Sequence, residues 1–202
     1  MKLIDEKTTY ISSDAKIAES AVIYPNNTIL GETVIGENTV IMPNCIIDNC
    51  KIGNNVKITA SVMEGATIAD GATVGPFAYL RKGSDVGREC RVGDFVEIKN
   101  AKIGDGTKVA HLTYVGDCEL GEKCNIGCGV VFVNYDGKKK HRTTVGDHCF
   151  IGSNCNVIAP VNIADGSYIA AGTTVTESTP ADSLVVGRAR QVVKEGRGKG
   201  RF

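Results

Sequence analysis

Apolar residues recur at every sixth position along most of this chain, and no other feature restricts its fold as much. Ile17, Ile23, Ile29, Ile35, Ile41 and Ile47 open the series, and Ile52 and Ile58 resume it. Ile68, Val74, Leu80, Val86, Val92 and Ile98 carry it to mid-chain. After a five-residue step come Ile103, Val109 and Val115, then Leu120, Ile126 and Phe132. Beyond an interruption the beat returns at Val145, Ile151, Val157, Ile163, Ile169 and Val175. A helix repeats about every 3.6 residues and a half-buried strand alternates, so neither accounts for this pattern. A fixed short period points to a solenoid. The predicted fold is all-β: a parallel β-helix with three short strands per turn, about eighteen residues per coil and about nine coils. Successive coils would hydrogen-bond at roughly 4.8 Å.

The position four after each anchor also points inward, because it is even-numbered along the strand. Ala21, Thr33, Thr39, Cys45, Ala72, Ala78, Ser84, Cys90, Cys124, Cys149, Cys155 and Ser167 stand there. Five of the eight cysteines are thus read as packing residues, and the absence of a C-x-x-C pair argues against a metal cluster. Gly, Ala or Asn often follows the anchor, as expected where a corner needs relaxed φ. With only 5% aromatic residues and no Trp, the chain suits a narrow interior. The expected division is an entry cap at 1–16, the β-helix at 17–175 with an extruded loop at 133–144, and a cap with a basic tail at 176–202.

Lys and Arg together number 23, as do Asp and Glu, so no net field draws the chain to nucleic acid or to a membrane. Any anion site must therefore be local. The first ten residues lack the apolar run of a signal peptide, and no stretch is long and apolar enough to span a bilayer, so a cytoplasmic location is expected.

The register places side chains relative to one another. Leu80 to Ile98 is one coil, so Arg81 stacks under Lys99; Val92 to Val109 is one coil, so Glu97 stacks under Tyr114. These four polar groups gather at one edge. His111, one of only three histidines, stands on the adjoining face, with Cys128 one coil on. Arg81 and Lys99 would suit a phosphate, Glu97 a sugar hydroxyl or ammonium, and His111 a general base. The same residues would also serve as a solvated charged edge with an incidental histidine.

The segments "GPFAYLRKGS", "VGDFVEIKNAKIGDGTKVAHLTYVGD", "NIGCGVVFVNYDGKKKHRTTVGDHCFIGSN", "IAAGTTVT" and "QVVKEG" add a resemblance. They closely resemble the C-terminal half of the bifunctional N-acetylglucosamine-1-phosphate uridyltransferase/glucosamine-1-phosphate N-acetyltransferases, within the hexapeptide-repeat acyltransferase superfamily. The likeness is specific from Gly75 to Gly196 and looser from Thr8 to Thr73. It implies a left-handed prism, a homotrimer with each site between neighbours, and acetyl transfer from acetyl-CoA to glucosamine 1-phosphate. By resemblance His111 is the general base, and Arg81, Lys99, Tyr114 and Asn125 contact the phosphosugar, with Glu97 beside them. Cys128 (usually Ala in the family), Asn134, Tyr135, Ser153, Ala171 and Arg188 contact acetyl-CoA. The loop lysines, Lys140 among them, would face the phosphates of CoA. The uridyltransferase half has no counterpart in these residues, so uridyl transfer is not expected of them.

Three other readings can be weighed. A zinc enzyme on such a prism needs three clustered histidines, whereas His141 lies in the extruded loop and His148 seven residues later, so no metal is expected. A scaffold that had given up catalysis would be expected to lack His111 or the "NYDG" loop, and both are present. Another amino sugar is the alternative acceptor.

Overall fold

The computed structural model describes residues 1–200 as a parallel β-helix of short strands, two to four residues each, with no helix among the described residues. Three sheets of 11, 10 and 9 strands form its faces, called here first, second and third in the order the chain visits them. Each strand pairs in parallel with its counterpart one coil away, as in Thr73↔Arg91, Tyr79↔Glu97 and Asp85↔Lys102. These sheets make about ten turns, one more than the period predicts. Strands Lys2–Leu3 and Tyr10–Ile11 join the ladder before Ile17, and Leu184–Val185 joins it after Val175. Strands Val131–Val133 and Thr143–Val145 bracket the extruded loop, which therefore narrows to 134–142. Positions 201–202 of the expected tail lie outside the described residues. Among the described residues no helix is long and apolar enough to cross a membrane.

The anchors form the core. Every one from Ile23 to Val175 is buried, and Ile17 packs against the same column from its open end. Met63 supplies the turn missing between Ile58 and Ile68, by two five-residue steps. All twelve small residues expected in the inward slot are buried too. Their chemistry explains why hydroxyls and thiols alternate there. Thr39 Oγ1 donates to the Gly53 carbonyl of the coil above at 2.8 Å and accepts from Val56 N–H at 3.1 Å. Cys90 and Cys124 do the donor half of this through Sγ, to the Gly104 and Gly146 carbonyls at 3.0 and 3.1 Å. The slot wants a small side chain with a donor for a carbonyl that turns inward at the corner.

Relaxed φ is not why glycine follows the anchors, Gly75 (φ 94°) excepted. Gly36, after Ile35, has no left-handed φ; a Cβ there would lie 2.6 Å from Asn54 Oδ1 and from the Gly53 backbone of the next coil. Left-handed φ comes two residues later, at Asn38 (56°) and likewise at Asn55 (55°). What crowds the glycine is an Asn/Asp ladder along that corner. Glu37 N–H donates to Asn54 Oδ1, and Asn54 N–H to Asp70 Oδ1, each at 2.7 Å. The recurring "IG" followed by an acidic or amide residue is thus coil-to-coil hydrogen bonding, with glycine making room for it.

Candidate functional site

The corner between the first and second faces carries a vertical column. Asp94 pairs with His111 in the ladder, and the registers above it place Cys128, Ser153 and Ala171 in succession. Backbone bonds hold the column at each step: Leu112 N–H to Asp94 O (2.9 Å), Gly129 to His111 (3.2 Å), Asn154 to Cys128 (2.8 Å) and Gly172 to Ser153 (2.8 Å). With coils roughly 4.8 Å apart, His111 lies about 14 Å below Ala171. Arg188 Nη1 donates to the Ala171 carbonyl at 2.7 Å and so closes the upper end. At the lower end, His111 Nδ1 is 2.5 Å from Asp94 Oδ1, with the two side chains 51% and 35% exposed. The imidazole therefore projects from the prism and is gripped on one nitrogen only. The hydrogen bond from His111, first among its causes, holds the Asp94 carboxyl below the usual carboxylate range.

From that corner a band of polar groups crosses the second face. Glu97 and Tyr114 stack in strands Glu97–Lys99 and Tyr114–Gly116. Arg81, one coil below Lys99, donates from Nη1 to Glu97 Oε1 at 3.0 Å, and its Cζ is 5.8 Å from the centroid of the Tyr79 ring. Tyr79 is tethered in turn, its hydroxyl donating to Glu64 Oε2 at 2.9 Å; that bond raises the phenol above its usual range. The guanidinium is thus oriented from two sides while part of its fork stays free.

The far edge of the band is an amide–carboxylate ladder. Asn100 Nδ2 and Asn134 Nδ2 each donate to buried Asp117, at 2.6 Å, from the coils below and above, and Asn134 reaches the Tyr114 hydroxyl at 3.4 Å. Asn134 opens the extruded loop, which doubles back through an antiparallel bridge between Tyr135 and Lys140. Asp136 caps the turn, accepting from the Lys138 and Lys139 N–H groups (2.8 and 2.7 Å) and from His141 Nε2 (2.7 Å). Those backbone bonds and His141 bring its pKa down to about 2. The turn returns Lys140 to the prism, where its ammonium pushes that of Lys99 below the ordinary lysine range.

Arg81, Glu97, Lys99, Tyr114 and Asn134 thus come together in one band with His111 at its near edge. Lys140, read from the sequence as a partner of CoA's phosphates, lies instead beside Lys99 among the groups read as phosphosugar contacts. Asn125 stands apart, exposed on the first face one coil above Lys108. Tyr135 is exposed at the loop corner, across the second face from Cys128, Ser153, Ala171 and Arg188, so one prism does not unite all the predicted cofactor contacts. Asp94, Asp117 and Tyr79 went unread in the sequence, although the register that pairs Glu97 with Tyr114 also pairs Asp94 with His111. Among the described residues no three His, Cys, Asp or Glu side chains converge as metal ligands would.

Beside the band, the same corner carries Phe77, Phe95 and Leu112, exposed and with left-handed φ of 58°, 54° and 49°. The two rings stack at 5.5 Å. Asn26, Asn44 and Asn154 hold the equivalent conformation elsewhere on this corner, at little cost for an amide. Bulky apolar residues there are costly both in backbone conformation and in exposed surface.

The chain is similar to known proteins in sequence and in fold. Residues 142–177 match the family described as hexapeptide repeat of succinyl-transferase, and residues 32–63 the bacterial transferase hexapeptide. The chain is 52% identical over 194 residues to "Bifunctional protein GlmU" of Clostridium acetobutylicum, covering 96% of this chain and 42% of that protein. The Clostridium beijerinckii protein of the same name is 54% identical over 189 residues, again with 42% of its length covered. The chain thus spans less than half the length of these relatives. Among solved structures, the UDP-N-acetylglucosamine acyltransferase of Francisella novicida superposes with a TM-score of 0.62 at 21% identity, over 90% of this chain and 66% of that one. The Arabidopsis enzyme of that name gives 0.61 at 18% identity, over 89% and 63%. Likeness at that identity establishes the shared fold.

Proposed function

The chain is homologous to the C-terminal half of the bifunctional protein GlmU and carries hexapeptide transferase repeats, and from this we propose that it transfers acetyl from acetyl-CoA to the amine of glucosamine 1-phosphate. The observation that carries the reading is the band itself: an exposed imidazole at one edge, three cations at the other, and a tyrosine and a carboxylate between them. That spacing suits a small substrate with an amine at one end and a phosphate at the other.

Arg81 offers a planar fork, and Lys99 and Lys140 offer point charges, to the sugar phosphate. A dianion between the two ammoniums would relieve the repulsion that depresses Lys99. The free Nε2 of His111 takes a proton from the substrate's ammonium, and the amine attacks the thioester carbonyl. Backbone N–H groups at the coil corner stabilise the oxyanion. The carbon–sulfur bond breaks, the attacking nitrogen releases its second proton to solvent, and the thiolate leaves with the proton that His111 returns. The acetyl-CoA chain runs up the column past Cys128 and Ser153 towards Ala171 and Arg188. Tyr135 and Asn125 join the site from a neighbouring copy in a homotrimer, whose contact includes the Phe77–Phe95–Leu112 ridge. A cytoplasmic setting, where acetyl-CoA is made and used, fits this chemistry.

The test is release of CoA thiol with glucosamine 1-phosphate, glucosamine 6-phosphate and nucleotide-linked amino sugars as acceptors. Turnover with the first and little with the others is expected. Preference for another acceptor would move the assignment to that sugar, and no turnover with any would refute acetyl transfer.

A further inference from the structure

The two successive first-face strands that run into the His111 corner differ from all other described strands. Arg91–Asp94 and Lys108–His111 have four residues each, where every other described strand has two or three. The added length carries the pairing round to Asp94↔His111. Gly93 makes this possible: a Cβ there would collide with the Ala110 carbonyl of the next coil, so any side chain would push apart the two backbones that Asp94 and His111 follow. Leu112 N–H then donates to the Asp94 carbonyl at 2.9 Å, which fixes the backbone just past the histidine to the residue whose carboxylate holds its ring. The fold thus departs from its own repeat in order to set one carboxylate against one imidazole nitrogen.

We propose that Asp94 is the positioning residue of His111, fixing the ring's orientation and tautomer so that Nε2 stays free to accept the substrate's proton. An ionised carboxylate only accepts hydrogen bonds, so at 2.5 Å the proton must sit on Nδ1. The lone pair is then left on Nε2, the nitrogen that faces away from Asp94. Other groups acting on Asp94 are its own backbone N–H and Arg91 of the same strand, both of which favour the ionised form. A carboxylate behind an imidazole serves in this way in unrelated hydrolases, where its loss leaves the ring in the wrong tautomer. The catalytic part of the inference rests on the acetyl-transfer reading above; the hold on the ring does not.

The experiment compares Asp94→Ala and Asp94→Asn with the full-length chain. Nitrogen-15 NMR of the histidine rings reports the tautomer, with His111 assigned by the signal lost in His111→Gln. CoA-thiol release gives kcat and KM. In Asp94→Ala, His111 should shift towards the Nε2–H tautomer, and kcat should fall roughly 10- to 100-fold, less than for loss of a base itself, with both KM values within about twofold. Asp94→Asn can turn an amide N–H towards Nδ1 and should, like Asp94→Ala, shift the ring towards the Nε2–H tautomer and recover little of the lost turnover. An unchanged tautomer in Asp94→Ala would overturn the proposal, whatever happens to activity. So would a shifted tautomer with unchanged kcat. If the wild-type chain acetylates no amino sugar, the proposed function fails, and the NMR comparison still decides whether Asp94 sets the ring.

Discussion

Replacing His111 by Ala separates a chemical role from a structural one. A lost general base costs roughly 10²- to 10⁴-fold in kcat, and that loss is expected here with KM for both substrates little changed. The structure says stability should hold. The imidazole is half exposed, its one partner is an exposed carboxylate, and no core atom rests on it. Exposed pairs of this kind contribute little, so the thermal midpoint should stay within roughly 4 °C of wild type. Ile98→Ala gives the opposite pattern and serves as the control. Ile98 is fully buried between Leu80 and Val115, and its truncation should cost about 2–5 kcal/mol, or roughly 4–20 °C in a chain of this size. Both variants are assayed by CoA-thiol release and by thermal unfolding. A His111→Ala protein that keeps near-wild-type turnover at neutral pH would refute the base assignment. One that loses activity only in proportion to a fall in its melting point would refute the separation of roles.

Four further outcomes follow from the same geometry. Arg81→Ala should chiefly raise KM for the phosphosugar, because the free part of its fork is uniform binding rather than chemistry, and steady-state kinetics that show only a kcat loss would contradict this. A thiol reagent should modify one cysteine quickly in the native protein and the other seven only on unfolding. Cys128 alone is partly exposed, and burial raises Cys90 and Cys124 to about 11. The lowered pKa of Asp136 means its contribution to the loop is complete above its ordinary value of 3.8 and is lost as pH falls towards about 2; hydrogen exchange at Lys138 and Lys139 should rise in that window, and at neutral pH in Asp136→Ala. Phe95→Asn places at a φ of 54° a residue that tolerates it and removes half of the stacked pair, so sedimentation should show weaker association with no loss of monomer stability.

What is legible in the sequence follows from what a period encodes. A residue's place in a six-residue beat states whether it points in and which residue lies one coil away. The core, the small inward slot and the Arg81–Lys99 and Glu97–Tyr114 stacks can therefore all be read from spacing alone. Asp94 under His111 is equally open to that arithmetic; it is hidden because an aspartate after glycine looks like one more corner residue. The glycine misreading has the same origin, since a corner explains "IG" by φ until the next coil's Asn or Asp is placed against it. Lys140 is a different case. It lies in the segment that leaves the beat, and its return to Lys99 depends on Asp136 capping a turn and on the Tyr135–Lys140 bridge, neither of which any period specifies. The separation of Asn125 and Tyr135 from the other contacts is different again, because repeat register fixes neighbours within one prism and carries no information about a second. In the proposed homotrimer the remaining contacts come from the surface of another copy, for which the costly apolar ridge beside His111 is the proposed place to dock.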